Sequence, residues 1–458
     1  MTHPRPHAPR PPGTPRPPGT PRPPGAPRPP GTPTPAGTPT PPGTSPSPGT
    51  SPPTGAQGRV GRVVGATPRP APELRTTQFG ALRLPSGIEI AGLEVGYTLE
   101  GRPEPDGSNL ILAFHSLTGG PDPGAWWPRL HGEGRLLDPS RWAILAPAFL
   151  GSPFGTRVLD HEGRPMPTSS SILGDSPEDA SEAVEGGTAV VGSAAGSITE
   201  GGATKEGAIG EGPPAGITSR DQAFLVELLL DRLGLARACL AVGGSFGGMV
   251  ALEWAALAPA RTDTVVSVAA PARQTAEVLA NHHLQREAIR LLPGAAGVAL
   301  ARQVAMTTYR TGEEFEDRFG RRRREDGLPE VASWLEHHGR KLARTFLPAH
   351  YRALLETMDR HDVGAGREGG IGGALARFRG RLVGVGIPGD RLYPASEVRR
   401  WVDAAQAARR ASRFGGPPTE YREIRSIHGH DAFLLEVEQV GVILEDLLNR
   451  APSDRRSS

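Results

Sequence analysis

Short apolar runs punctuate the chain from about residue 77 onward, and between them lie segments of helical period. Residues 88–98 and 109–115 have the length and apolar content of strands, separated by a Pro/Asp/Gly turn. Residues 142–147 predict a third strand. After residue 217, Ser219-Arg220-Asp221-Gln222 fits a capping box, with Ser219 as N-cap and Gln222 three positions on. Phe224, Leu225, Leu228 and Leu229 then share one helical face, and Gly234 ends that helix. Strands follow at 238–242 and 264–268, with a helix over 249–257 between them. Residues 273–375 are mostly helical in pattern, with Arg/Glu-rich faces, and 382–387 and 420–424 read as the last strands. Strands that alternate with helices imply a mostly parallel sheet covered on both faces. The block 273–375 then predicts a helical cap over the carboxyl ends of the strands.

Composition divides the chain. Gly (61) and Pro (50) make up about a quarter of the 458 residues. Much of that excess sits in two segments unable to build a core. Residues 1–72 form a Pro/Arg/Gly-rich tail in which Arg10, Arg16, Arg22 and Arg28 recur every six residues, and no acidic residue precedes Glu73. Such a repeat favours extended, polyproline-like, unpacked chain, so the tail is expected to be disordered. Residues 164–216, rich in Gly, Ala, Ser, Glu and Thr with weak periodicity, are expected to be a disordered insertion in the domain 73–458.

Charge and cysteine content exclude several functions. With 51 basic against 49 acidic residues the net charge is +2, which gives no reason to expect nucleic acid or an anionic membrane as a partner. The single cysteine, Cys239, allows no internal disulfide and no Cys-rich metal site. It lies in an apolar strand, which predicts core packing. No apolar run approaches the roughly 20 residues that span a bilayer, and the basic N-terminus lacks the apolar stretch of a secretory signal. A soluble, cytoplasmic protein is expected.

The strongest local signal is Gly243-Gly244-Ser245-Phe246-Gly247, a G-x-S-x-G set between a predicted strand and a predicted helix. That context is the one a nucleophile elbow requires. Small neighbours permit the strained turn that exposes the serine hydroxyl, and the following helix turns its positive end toward a developing oxyanion. A serine nucleophile needs a base, and the base needs an orienting carboxylate, in the order serine, acid, histidine. Asp390 follows one apolar strand in Gly-Asp-Arg-Leu-Tyr-Pro, and His430 follows the last in His-Gly-His-Asp-Ala-Phe-Leu. His428 competes as base, but lies two residues early. Oxyanion donors are expected from the backbone N–H of Phe246 and from the loop after an early strand, His115-Ser116-Leu117-Thr118-Gly119, with Leu117 as the donor.

Several longer motifs are similar to those of the homoserine O-acetyltransferase family, in the family's order, over most of 77–447. His115-Ser116-Leu117-Thr118-Gly119 resembles its His-Ala-Leu-Thr-Gly. Gly243 to Met249, continuing through Ala251-Leu252-Glu253-Trp254, resembles its elbow and elbow helix. Leu300-Ala301-Arg302, Thr308-Tyr309-Arg310 and Arg318-Phe319-Gly320 resemble its cap, and Met358 to Gly364 the loop after it. Asp390 to Pro394 and Gly429 to Leu434 resemble the acid and base segments. The resemblance implies an α/β-hydrolase fold and a ping-pong acetyl transfer from acetyl-CoA to the hydroxyl of L-homoserine, in methionine biosynthesis. It further implies that Arg302 binds the acceptor's carboxylate with Tyr309 near it, and that Asp431 holds the α-ammonium. No cofactor or metal is implied beyond acetyl-CoA as co-substrate, and the family's habit implies a homodimer.

Departures from the family pattern fall around the substrates. Pro147 to Thr156 reads Pro-Ala-Phe-Leu-Gly-Ser-Pro-Phe-Gly-Thr where the family has an Asn-Val-Leu-Gly-Gly-Cys-type segment followed by Gly-Ser-Thr-Gly-Pro. Gly212-Pro213-Pro214-Ala215-Gly216 replaces its Gly-Pro-Asp-Phe-Pro, and Phe246 stands where it has Met. Serine as acceptor, succinyl-CoA as donor, and plain ester hydrolysis are therefore the competing chemistries. A non-catalytic protein working through its Pro/Arg tail is the alternative from another class.

Overall fold

The computed structural model describes residues 70–166, 215–412 and 416–449, all within the unit Pro68–Ser458. The tail expected over 1–72 and the insertion expected over 164–216 fall, apart from their edges, outside the described residues. At one edge Met166 N donates to the Val158 carbonyl and Pro165 bridges Leu159, so 164–166 belong to a strand pair and not to the insertion.

The strands are β1 (Arg75–Phe79), β2 (Leu82–Arg83), β3 (Glu89–Ile90), β4 (Gly92–Glu100), β5 (Leu110–Phe114), β6 (Ala143–Pro147), β7 (Arg157–Leu159), β8 (Ala238–Gly244), β9 (Thr262–Val268), β10 (Arg381–Gly386) and β11 (Glu420–Glu423). The helices are α1 (Pro123–Trp126), α2 (Ser219–Arg232), α3 (Phe246–Leu257), α4 (Ala276–Leu291), α5 (Gly294–Tyr309), α6 (Gly312–Arg318), α7 (Glu330–Ala343), α8 (Pro348–Asp359), α9 (Gly370–Ala376), α10 (Ala395–Ala411), α11 (Ala432–Leu435) and α12 (Val437–Asn449).

Nine strands form one sheet in the order β1-β4-β6-β5-β8-β9-β10-β11, with β7 on β4. From β6 to β11 every pairing is parallel; β1, β6 and β7 pair with β4 antiparallel. Strand β5 shows why both faces are covered. Leu110, Leu112 and Phe114 enter the core with Leu229, Val250 and Trp254 of α2 and α3. The intervening Ile111 and Ala113 enter the opposite core with Trp127, Val440 and Leu444. Both sets are essentially inaccessible. A strand apolar on both sides suits only the middle of such a sandwich.

The capping box of α2 lies one residue from its expected place. Thr218 is the N-cap, accepting from Asp221 N, while the Asp221 carboxylate takes the Thr218 N–H at 2.7 Å. Ser219 and Gln222 are spent elsewhere: the Ser219 hydroxyl meets His361 Nδ1 at 2.7 Å, and Gln222 exchanges two hydrogen bonds with the Leu150 backbone. Cys239 is buried, its thiol donates to the Leu110 carbonyl, and burial pushes it up to about 12. Helices α4 to α9 occupy the block expected as a cap. Helix α4 packs on α5 and α5 on α7, whereas α9 packs on α10 and so belongs with the sheet-covering layer. Among the described residues no helix is long and apolar enough to cross a membrane.

Candidate active site

Ser245 stands between β8 and α3 with φ +57° and ψ −122°. A non-glycine residue in that region stores about 1–3 kcal/mol of strain and needs surroundings that enforce it. Here the Ser245 N–H donates to the Val268 carbonyl at 2.9 Å, and Met249 N–H to the Ser245 carbonyl at 3.1 Å. Two glycines let the turn close. A Cβ on Gly243 would lie 2.3 Å from the Gly247 carbonyl, and one on Gly247 2.1 Å from the Phe114 carbonyl oxygen.

The carboxyl ends of β8, β10 and β11 bring three side chains into line. His430 Nε2 lies 2.9 Å from Ser245 Oγ, and His430 Nδ1 lies 2.8 Å from Asp390 Oδ2. The other Asp390 oxygen accepts the N–H groups of Leu392 and Tyr393 at 2.8 and 2.9 Å. With Nδ1–H directed to a carboxylate, Nε2 is the nitrogen left to accept the serine proton. Tyr309, Tyr393 and Phe433 surround the imidazole, with ring centroids 5.3–5.6 Å away. His428, the competing base, lies outside this chain of bonds; its Nδ1 faces Glu314 at 3.2 Å.

The two backbone N–H groups expected as oxyanion donors, those of Phe246 and Leu117, are not committed to protein acceptors among the described residues. Phe246 opens α3, where the helix dipole adds positive potential. The Leu117 N–H belongs to the peptide whose carbonyl is that of Ser116. That carbonyl is anchored twice, by His115 Nδ1 at 2.7 Å and by Gly119 N–H at 3.1 Å. His115 Nε2 in turn accepts the Phe149 N–H, and burial holds this ring down to about 4, so it is neutral at pH 7. In the sequence His115 stands out only as part of a motif. Its anchoring role depends on Phe149, 34 positions away, and no local pattern carries that contact.

The residues expected for an acceptor divide. The Arg302 guanidinium lies 4.9 Å over the Tyr309 ring, and no carboxylate among the described residues is within ion-pair distance of it. Asp431 is already paired, its Oδ2 lying 3.1 Å from Arg310 Nε. Burial raises the Tyr309 phenol, with Arg302 opposing that effect, and the buried Tyr351 also senses Arg302. Tyr351 donates to Gln285 Oε1 at 2.7 Å; no sequence motif named it, and Arg310 stood only within the cap motif Thr308-Tyr309-Arg310. Gln274 lies 3.3 Å from the Tyr393 hydroxyl, and among the described residues its own Oε1 has no hydrogen-bond partner. Among the described residues no cluster of His, Cys, Asp and Glu could hold a metal ion.

A profile of the alpha/beta hydrolase fold matches residues 109–352. A solved homoserine O-acetyltransferase from Bacillus anthracis superposes with TM-score 0.64 at 18% identity, covering 83% of this chain and 99% of that one. An acetylester hydrolase from Corynebacterium glutamicum superposes with TM-score 0.60 at 20% identity, covering 82% and 96%. The chain thus has the α/β-hydrolase fold, which these two solved structures show in a transferase and in a hydrolase. Sequence is more particular: a homoserine O-acetyltransferase of Moorella thermoacetica is 34% identical over 413 residues, 83% of this chain and 97% of that protein. The chain belongs to the homoserine O-acetyltransferase family.

Proposed function

We propose that the protein transfers an acetyl group from acetyl-CoA to the hydroxyl of L-homoserine through an ester on Ser245, a step of methionine biosynthesis. One observation carries the reading: a complete Ser245–His430–Asp390 chain of hydrogen bonds stands one aromatic ring away from an arginine with no carboxylate partner.

His430 Nε2 takes the Ser245 proton as Oγ attacks the thioester carbonyl. The oxyanion falls to the N–H groups of Phe246 and Leu117. Collapse expels CoA as its thiol, with the proton returned from His430, and leaves acetyl-Ser245. Asp390 keeps the imidazole in the required tautomer and stabilises its charged form. The homoserine hydroxyl then gives its proton to His430 and attacks the ester carbonyl; the acyl–Ser245 bond breaks, His430 returns the proton to Ser245 Oγ, and O-acetylhomoserine leaves. Recognition of a zwitterion in a largely dry site needs one cation and one anion. Arg302, with Tyr309 beneath it, is assigned the acceptor's carboxylate, and Asp431 its α-ammonium. Acetyl-CoA is a co-substrate, and no metal or cofactor enters the scheme. A cytoplasmic homodimer without nucleic-acid partners belongs to the same reading; light scattering checks the oligomer.

The test is a steady-state matrix of acetyl- and succinyl-CoA against homoserine and serine. Acetyl-CoA with homoserine should give the highest kcat/KM. A preference for serine or for succinyl-CoA, or thioester turnover indifferent to any acceptor, would displace this reading.

A further inference from the structure

Arg310 ties the turn that carries His430 to the cap. Its Nε faces Asp431 Oδ2 at 3.1 Å, and its Nη1 faces the two Glu314 oxygens at 2.9 and 3.2 Å. Glu314 Oε2 lies 3.2 Å from His428 Nδ1. The side chains of Arg310, Glu314 and Asp431 are only 12, 9 and 16% exposed. These groups come from two segments, the junction of α5 with α6 and the turn 428–431. Backbone contacts seat one on the other. The Thr311 hydroxyl donates to the Ile427 carbonyl, and Gly429, at φ +61°, lies so close to 309–311 that a Cβ would sit 3.1 Å from the Tyr309 carbonyl oxygen.

The division of charge is specific. Arg310 is committed on two edges of its fork to two carboxylates, an arrangement that a lysine point charge reproduces only in part. It is therefore not available for a substrate anion, whereas Arg302 is. An ion pair, without hydrogen-bond geometry at Nε, joins one Asp431 oxygen to Arg310; among the described residues the other oxygen takes no hydrogen bond. The Arg310 guanidinium stands between the Glu314 and Asp431 carboxylates, beside His430.

We infer that Arg310 is a positioning residue of the acceptor site: it docks Asp431 on the cap with one carboxylate oxygen held and leaves the other for the α-ammonium of an amino-acid acceptor. The inference rests on the acceptor reading above. Without Arg310 the Asp431 carboxylate would be partly buried and unpaired, free to turn away from the acceptor.

Pre-steady-state kinetics on the full-length protein separate this role from a purely structural one. Discharge of the wild-type acetyl-enzyme by homoserine, relative to water, is measured first and tests the acceptor reading by itself. In Arg310→Gln, acetyl-Ser245 should form at a rate within about twofold of wild type, while discharge by homoserine should fall ~10- to 100-fold, the scale of one charge-assisted contact. Arg310→Lys should recover part of the loss. With 4-hydroxybutyrate, which keeps the hydroxyl and the carboxylate but has no ammonium, wild type and Arg310→Gln should discharge equally slowly. An equal loss with 4-hydroxybutyrate, a matching loss in acetyl-enzyme formation, or an undiminished rate with homoserine would overturn the inference.

Discussion

Ser245 and Arg302 are placed by opposite kinds of constraint. Ser245 is forced by backbone: a strained φ of +57° sustained by the glycines packed around it. Arg302 is placed by side chains, over the Tyr309 ring and near Tyr351, with no carboxylate partner among the described residues. In the proposed reading the acceptor's carboxylate completes this arginine. Arg302→Ala should therefore lower kcat/KM for the acceptor by ~10- to 150-fold, about 1.5–3 kcal/mol. Acetyl-enzyme formation should be nearly untouched, because acetyl-CoA does not need the amino-acid site. Stopped-flow measurement of the two half-reactions checks this; a variant discharged by homoserine at the wild-type rate would remove Arg302 from the acceptor site. Ser245, Asp390 and His430 were legible in the sequence because each sits in a short motif at a strand end, in the order the fold imposes. Arg310, Tyr351 and Gln274 were not, since their roles arise from contacts across the cap or between distant loops: Gln274 meets Tyr393 across 119 positions.

The central strands were readable as elements because burial on both faces turns them into continuous apolar runs. The edges were not. Strand β1, Arg-Thr-Thr-Gln-Phe, is largely exposed, and β7 has three residues; neither carries an apolar pattern, and pairing with β4 defines both. The start of α2 shows how a local rule can name the right motif on the wrong residue. Ser219 and Thr218 are both acceptable caps by type, and the choice falls to tertiary partners: His361 takes the Ser219 hydroxyl, and Asp221 closes the box on Thr218. Thr218→Ala should cost about 1 kcal/mol, the usual worth of an N-cap. Urea unfolding monitored by circular dichroism measures it, and a loss below a few tenths of that figure would show that Asp221 alone satisfies the helix start.

Two buried histidines bear on the stability of the molecule. Burial holds both His115 and His361 down to about 4, below their ordinary value near 6.5. The unfolded chain therefore binds protons at a pH where the folded chain resists them. The stability these rings contribute is fully present above about pH 6.5 and is lost as pH falls toward 4, on the order of a few kcal/mol in all. The urea midpoint should drop steadily between pH 6.5 and 4.5, and a midpoint constant over that span would contradict it. The most direct test of the central claim follows one acetyl group through the site. Incubated with acetyl-CoA alone, the wild-type protein should carry a single acetyl adduct, and peptide mass spectrometry should place it on Ser245. Homoserine should discharge it as O-acetylhomoserine, and Ser245→Ala, folded to the same melting temperature, should carry none. An adduct on another residue, or an acetyl-enzyme that homoserine discharges no faster than water, would contradict the account.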